Sequence, residues 1–520
     1  MKKIFVLVLT VLLVSVSACK NPFLKKMLVE EEKGKTVSQV PKHGVTFSVE
    51  GGHGTLKAQV DGKEINSGDS VEQGKSVVFT AEPALDYVVE QWTNGGTVIG
   101  EAGMDTSYTY TVTANADIKV KFQSLFVEGG ASLILSPDRL DITVEVTTAD
   151  NSPITVEGCT ETELTSGTET VLHAKGRRVI LKGKIIKLFC YYNQLTALNV
   201  QGLTALQVLD CGYNQLTALN VQGLTALQTL DCSDNLLTAL NVQGLSALRR
   251  LFCGNNQLTA LNVQGLSALR RLFCGYNQLT ALNVQGLSAL QELFCDVNQL
   301  TALNVQGLSA LQELSCDVNQ LTELNVQGLS ALKKLSCRGN QLTALNVQGL
   351  SALQELNCHG NQLTALNVQG LTALRSLSCG GNQLTALNVQ GLTALQGLYC
   401  YNNQLTILNV QGLTALGWLY CGNNQLTTLN VQGLTALRTL RCYNNKLTAQ
   451  AFTKLFDDLP TRQDSDNGEC ILYTEESGVT EGNHKDFSTP PDLAAAFNNA
   501  KNNKKWKMYK WNGSWLGVEI

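Results

Sequence analysis

Residues 206–226 read LQVLDCGYNQLTALNVQGLTA, and with small edits this stretch returns every 21 residues. Its cysteine marks the period. Cys190, Cys211, Cys232, Cys253, Cys274, Cys295, Cys316, Cys337, Cys358, Cys379, Cys400, Cys421 and Cys442 share one register, 13 coils without insertion or deletion. A repeat of this length means a solenoid, since one unit cannot bury its apolar face alone and must stack on its neighbours. With Leu206 as position 1, Leu209, Cys211 and Leu216 are expected to point inward, and Val221 and Leu224 to fill the core from the back. Coils stacked about 4.8 Å apart make a parallel sheet, and 13 of them a solenoid on the order of 60 Å long. Asn214 and its equivalents, Asn193 to Asn445, sit where the chain leaves the strand. A buried turn there strands backbone groups, and an Asn amide both donates and accepts, so an Asn ladder between coils is expected. Gly223 permits a tight turn on the convex side. A short coil with a β-branched Val at position 16 leaves little room for α-helix, so short extended or 3₁₀ segments are expected there.

Written as L-x-x-L-x-C-x-x-N-Q-L-T-A-L-N-V-Q-G-L-T-A, the coil resembles the leucine-rich repeat signature LxxLxLxxNxL, with Cys in place of the third Leu. The resemblance covers about 273 residues. It is to the 21-residue cysteine-ladder form known from an internalin and from surface proteins of oral anaerobes and spirochaetes. The implied fold is mainly β: a solenoid with a parallel sheet on its concave face and little helix.

The cysteines invite other readings. Metal sites usually need close pairs such as C-x-x-C, and the array has none. Disulfides between in-register parallel strands would be strained, and the ladder count is odd. Free Cys behaves as a small hydrophobe and is among the most buried residue types. Buried, reduced thiols are therefore expected. Cys159 and Cys470 flank the array at opposite ends, too far apart to pair.

The N-terminus reads as a targeting segment. Met1-Lys2-Lys3 precedes an apolar run of 13 residues at 4–16, too short to span a bilayer comfortably. The run closes with Val16-Ser17-Ala18-Cys19, which resembles a bacterial lipobox. The resemblance implies a signal peptide at 1–18 and lipid attachment at Cys19, anchoring by acyl chains rather than a helix, most simply at the outer membrane or cell surface. The polar segment 19–43, with Glu30-Glu31-Glu32, reads as a tether.

Residues 44–123 read as a small β domain, with strands expected near 45–49, 77–81, 108–112 and 118–122 and a turn at Asn94-Gly95-Gly96. Val78-Phe79-Thr80-Ala81-Glu82-Pro83, Tyr87, Trp92-Thr93-Asn94-Gly95 and Val112-Thr113-Ala114-Asn115-Ala116-Asp117 resemble the divergent internalin B-repeat, a spacer or stalk. Trp92 is expected in its core. Residues 124–184, with strands near 132–135, 141–147, 168–173 and 179–181, read as the N-terminal cap of a solenoid spanning 185–448; a separate small sandwich is the competing picture. Residues 449–520 read as an α+β C-terminal cap. There Thr448 caps a helix buried through Phe452, Leu455, Phe456 and Leu459, and a strand lies near 470–474. A second helix follows Pro490-Pro491-Asp492, and a hairpin turns at Asn512-Gly513. Trp506, Trp511 and Trp515 are expected to close the last coil's core.

The charge balance, 39 basic against 43 acidic residues for a net −4, contains no basic run and offers no footprint for nucleic acid. Five histidines, scattered along the chain without a phosphate loop, nucleophile elbow or paired carboxylates, argue against an enzyme. No cofactor is implied. Within the array Thr-Ala-Leu-Asn-Val-Gln-Gly-Leu barely changes, and variation falls on positions 2, 3, 5, 7 and 8. Positions 3, 5 and 7 alternate with the inward Leu and Cys, so they face out from the concave sheet. Phe189, Tyr191, Tyr213, Arg250, Phe252, Arg271, Phe273, Tyr276, Phe294, Lys334, Tyr399, Tyr401, Trp418, Tyr420 and Tyr443 are the candidate ligand-binding residues there. Exposed aromatics with Arg typify protein-binding hot spots. The competing account is that aromatics merely stack between coils and charges pair, as Arg271 with Glu292 and Glu313 with Lys334 are placed to do. The partner expected is a protein of a host or another microbe, with a glycan as the alternative and a purely structural envelope role as a third.

Overall fold

The computed structural model describes residues 40–100, 102–466, 468–513 and 517–520. The signal peptide, Cys19, the tether as far as residue 39, and Trp515 lie outside them. The chain divides into two compact units, the second beginning at Leu125.

The first unit has strands β1 (Lys42–Glu50), β2 (Gly54–Val60), β3 (Lys63–Ile65), β4 (Asp69–Glu72), β5 (Ser76–Pro83), β6 (Tyr87–Asn94), β7 (Thr97–Val98), β8 (Ser107–Thr111) and β9 (Ala116–Ser124). They form two sheets, ordered β4-β1-β9-β6-β7 and β3-β2-β5-β8. Alternating apolar residues from both sheets, Val45, Ala58, Val77, Phe79, Ile118 and Val120 among them, meet in one core. Trp92 is fully buried there, and its indole N–H donates to the Asp105 carbonyl at 2.8 Å. Gly95 and Gly96 take positive φ between β6 and β7, as the turn chemistry requires. The first strand begins at Lys42, three residues before the strand expected at 45–49, because Lys42, His43 and Gly44 pair with β4.

In the second unit, residues 125–184 form β10 (Gly130–Ile134), β11 (Asp141–Thr148), β12 (Ile154–Glu157), β13 (Glu163–Leu164), β14 (Thr168–His173) and β15 (Arg178–Lys182). β11 pairs antiparallel with β16 (Ile185–Phe189), the first strand of the array. β10 pairs with β17 (Ala197–Asn199) on the opposite side of that coil. One hydrophobic core runs unbroken from Ala131 to Met508, so this segment shares its core with the array instead of forming a separate sandwich.

From β16 the sheet continues in parallel through twelve three-residue strands, β18 (Val208–Asp210) to β29 (Thr439–Arg441). Equivalent residues stand opposite each other throughout, as in Leu209↔Leu230 and Leu314↔Leu335. Leu206, Leu209, Cys211, Leu216, Val221 and Leu224 are fully buried, as are nearly all their equivalents. The cysteines 190–442, together with Cys159 and Cys470, are free and buried. Burial pushes the Cys274, Cys358 and Cys400 thiols up to about 12.

The asparagine ladder has a definite geometry. Asn235 accepts from the Leu216 amide of the preceding coil at 2.9 Å. Its amide nitrogen lies 3.0 Å from the Cys211 carbonyl of that coil and 3.2 Å from its own Cys232 carbonyl. At the start of the array Asn193 exchanges both bonds with the Thr143 backbone of β11. At its end Asn483, from the C-terminal segment, takes the same role. It accepts from Leu447 N–H and donates to the Cys442 and Leu472 carbonyls. The convex side carries consecutive turns and no 3₁₀ segment. Leu227 N–H bonds back to Leu224, while Gly223 at φ +81° breaks any helical continuation.

After β29 come α1 (Ala449–Asp458), β30 (Gly468–Thr474), α2 (Pro491–Asn502), β31 (Trp506–Trp511) and β32 (Val518–Glu519). Thr448 caps α1 by accepting from Ala451 N–H at 3.2 Å, and β30 adds parallel to β29. Two expectations need correction. Lys510 pairs with Val518, so Asn512-Gly513 lies within a longer connection and is not a two-residue hairpin turn. Trp506 is buried and donates to the Pro460 carbonyl, but Trp511 is not in the core. Its ring stacks on Tyr443 at 5.5 Å, nearly parallel.

Candidate binding face

The outward residues of the concave strands fall into four sectors, because each position forms a row across neighbouring coils. At the N-terminal end, Phe189 and Tyr191 line a cavity of about 180 Å³ with Arg139 and with Glu145 of β11. Tyr192 stacks on Tyr213 at 4.1 Å. Tyr213 and Tyr276 occupy position 8, in the turn after the strand, and so stand on the rim and not on the sheet itself. Their φ values are +53° and +54°, and Tyr276 is the more exposed, at 59%.

The next sector carries Phe252, Phe273 and Phe294 at position 5. They stack in sequence with centroids 4.8 and 4.4 Å apart. Beside them Arg249, Arg250, Arg270 and Arg271 line a cavity of about 220 Å³. Arg271 pairs with Glu292 at 2.9 Å.

The third sector is a trough of about 410 Å³ between Phe294 and Tyr399. Its position-5 floor is Ser315, Ser336, Asn357 and Ser378. Lys334 lies 3.4 Å from Glu313 on its wall. The Ser315 and Ser336 hydroxyls donate to the Asp296 and Asp317 carboxylates, so this floor is held by its own hydrogen bonds.

The C-terminal sector joins Tyr399, Tyr401, Tyr420 and Tyr443 around a cavity of about 270 Å³ with Arg441. The Arg441 guanidinium lies 4.5 Å over the Tyr420 ring and 5.7 Å from Trp511. Desolvation raises the Tyr399 and Tyr443 phenols above their ordinary range. Trp418 is exposed at position 3 and is not among the residues lining this cavity. Reading coil by coil misses Arg441 and Trp511 here, since neither follows the aromatic pattern of position 5. It also misses the glycines against which two of the rings are seated. A Cβ at Gly380 would fall 3.1 Å from the Tyr401 ring, and one at Gly422 would fall 2.9 Å from Tyr443. The signal was present as a pairing 21 residues apart, Gly380 with Tyr401 and Gly422 with Tyr443.

Both charge pairs foreseen between coils are therefore present, and the aromatic rows do stack. Arg249, Arg250 and Arg270, by contrast, have no acidic partner among the described residues.

Fold and face together define a leucine-rich repeat solenoid with a cysteine ladder, preceded by a small β module. Residues 45–125 match the divergent InlB B-repeat domain family. Among solved structures, a leucine-rich repeat protein of Leptospira interrogans is 28% identical, with 62% of this chain matched to 82% of that one at a TM-score of 0.52. The functional domain of InlJ from Listeria monocytogenes, which includes a cysteine ladder, is 28% identical over 56% of this chain and 74% of its own at a TM-score of 0.46. An internalin of Listeria monocytogenes is 26% identical over 50% of this chain and 81% of its own, at a TM-score of 0.48. No curated protein sequence matches the chain.

Proposed function

We propose that this protein is a surface-anchored recognition and adhesion protein that binds a protein ligand through the concave face of its solenoid. The observation that carries this reading is the division of each coil. Core and convex positions repeat almost unchanged, while chemical variety falls on the outward concave positions and the adjoining rim. Variable side chains on a rigid scaffold are where recognition usually resides. Export through the N-terminal signal, lipid attachment at Cys19 and a stalk role for the first unit belong to the same proposal, as does a partner from a host or another microbe. The tyrosine-lined C-terminal cavity favours a second reading, glycan binding, because aromatic faces stack on sugar rings. Purified full-length protein applied to protein-ligand and glycan arrays tests both. Arg250→Ala, Arg271→Ala, Tyr399→Ala and Trp418→Ala should each weaken the captured interaction. Binding indifferent to all four would remove the concave face from the account, and no capture on either array would leave a structural envelope role. Protease shaving of intact cells should release the protein if it is displayed outside.

A further inference from the structure

Resting on the reading of the concave face as a recognition surface, we infer that Arg249, Arg250, Arg270 and Arg271, with the adjoining Phe252–Phe273–Phe294 stack, bind a short acidic peptide motif that carries an apolar side chain next to its carboxylates. Arg250 and Arg271 stand directly opposite each other on adjacent strands, and like charges so placed repel. Coil geometry does not demand them. The position of Arg249 and Arg270 is held by Gln in the coils on either side, at Gln228 and Gln291, at no loss to the fold. Of the four, Arg271 alone has a carboxylate partner among the described residues, Glu292. Four guanidiniums around one small cavity therefore present forked donors matched to carboxylate geometry.

The boundaries of the patch set the size of its ligand. Asp210 and Asp231 occupy position 5 in the two coils before it, and Glu292 and Glu313 occupy position 3 in the two coils after it. A long polyanion lying along the face, such as a sulfated glycan, would meet carboxylates at both ends. A motif with two or three carboxylates would not. The three phenylalanines beside the patch are half-buried and carry no polar group. They suit an aliphatic or aromatic side chain better than a sugar, whose hydroxyls they cannot satisfy.

The test is fluorescence anisotropy on the full-length protein with a fluorescein-labelled peptide carrying Glu-Glu-Phe, set against a labelled heparin hexasaccharide. The peptide should bind more tightly than the heparin fragment, and its affinity should fall with added salt. Arg249→Gln/Arg270→Gln should weaken it by about tenfold or more, the effect of losing charge-assisted hydrogen bonds. Phe273→Ser should weaken it by about tenfold, from the lost apolar contact. Both changes install residues that other coils already carry at those positions, so folding is preserved. Arg375→Gln, at the position equivalent to Arg249 outside the patch, should leave binding unchanged. No peptide binding, equal binding by all variants, or tighter binding of heparin each overturns the proposal. If it falls while Tyr399→Ala and Trp418→Ala still abolish capture on the arrays, the concave-face reading stands without it.

Discussion

Replacing Asn319 by Ala isolates what the asparagine ladder contributes. Asn319 accepts from the Leu300 amide of the preceding coil at 3.0 Å. Its amide nitrogen lies 3.1 Å from each of three carbonyls, those of Cys295, Cys316 and Asp317. An NH₂ group has only two hydrogens, so the three contacts amount to about two bonds, and the side chain makes about three in all. At about 1 kcal/mol net each, the substitution costs about 3 kcal/mol. The Leu300 N–H, left buried without a partner, raises this toward about 5 kcal/mol. Asn325→Ala is the matched control. That residue is exposed on the convex side and its side chain accepts one bond, from Gln327 N–H, so its loss should cost about 0.5 kcal/mol. A long repeat array need not unfold as one unit, so a single melting temperature is a poor gauge. Amide hydrogen exchange, read by mass spectrometry on a peptide containing Leu300, reports the local opening directly. Asn319→Ala should lower protection there by between about 100-fold and about 4,000-fold, since each 1.4 kcal/mol is a factor of about ten. Protection within threefold of that in Asn325→Ala would refute the reasoning and mean that the turn is held by its backbone bonds alone.

Four further outcomes follow from the same geometry. The cysteines of the array should resist thiol reagents until the protein unfolds, and rapid labelling of the native protein would contradict the buried ladder. Because unfolded thiols ionise at about pH 8.5 and burial holds the folded ones well above that, with Cys274 and Cys358 pushed up to about 12, the unfolded state loses its protons first. Stability should thus be fully present below about pH 8.5 and fall by up to about 1.4 kcal/mol per thiol per pH unit as the pH rises toward 12, a slope that denaturant titrations at stepped pH would measure. Val318 is exposed at φ +51°, a conformation that costs a β-branched residue about 1–2 kcal/mol, so Val318→Asn should stabilise its coil by about 1 kcal/mol, read as slower local exchange; faster exchange would contradict the strain. Gly422→Ala should push the Tyr443 ring off its seat and weaken any ligand of the C-terminal cavity by about tenfold while barely changing stability, as a Cβ 2.9 Å from a ring must displace it. Unchanged affinity would mean that the ring is not part of that site.

The array was legible because one physical constraint is written thirteen times. Leu209, Cys211 and Leu216 had to point inward, and Asn214 had to satisfy the turn, whichever coil was considered. The first unit was only partly legible. The strands expected at 45–49, 77–81 and 118–122 fall in β1, β5 and β9 and that at 108–112 overlaps β8, while nothing in the local pattern separates β2, β3, β4, β6 and β7. The helix capped by Thr448 was readable from local spacing and a local cap. Asn483 was not, because nothing nearby in sequence marks it as the last rung of a ladder whose preceding member, Asn445, lies 38 residues earlier.

Periodicity is enough to give the solenoid, the direction of each side chain in a strand, and the buried ladders of Cys and Asn. Tertiary structure alone decided the pairing of outward groups. The Arg441 guanidinium lies over the Tyr420 ring, while Arg249, Arg250 and Arg270 have no acidic partner among the described residues. Trp511 leaves the core for Tyr443, and the left-handed turn of position 8 lifts Tyr213 and Tyr276 onto the rim. The reason is range. Periodicity constrains residues within one coil, whereas an ion pair, a ring stack or a glycine seat depends on what the next coil or the cap places a few ångströms away.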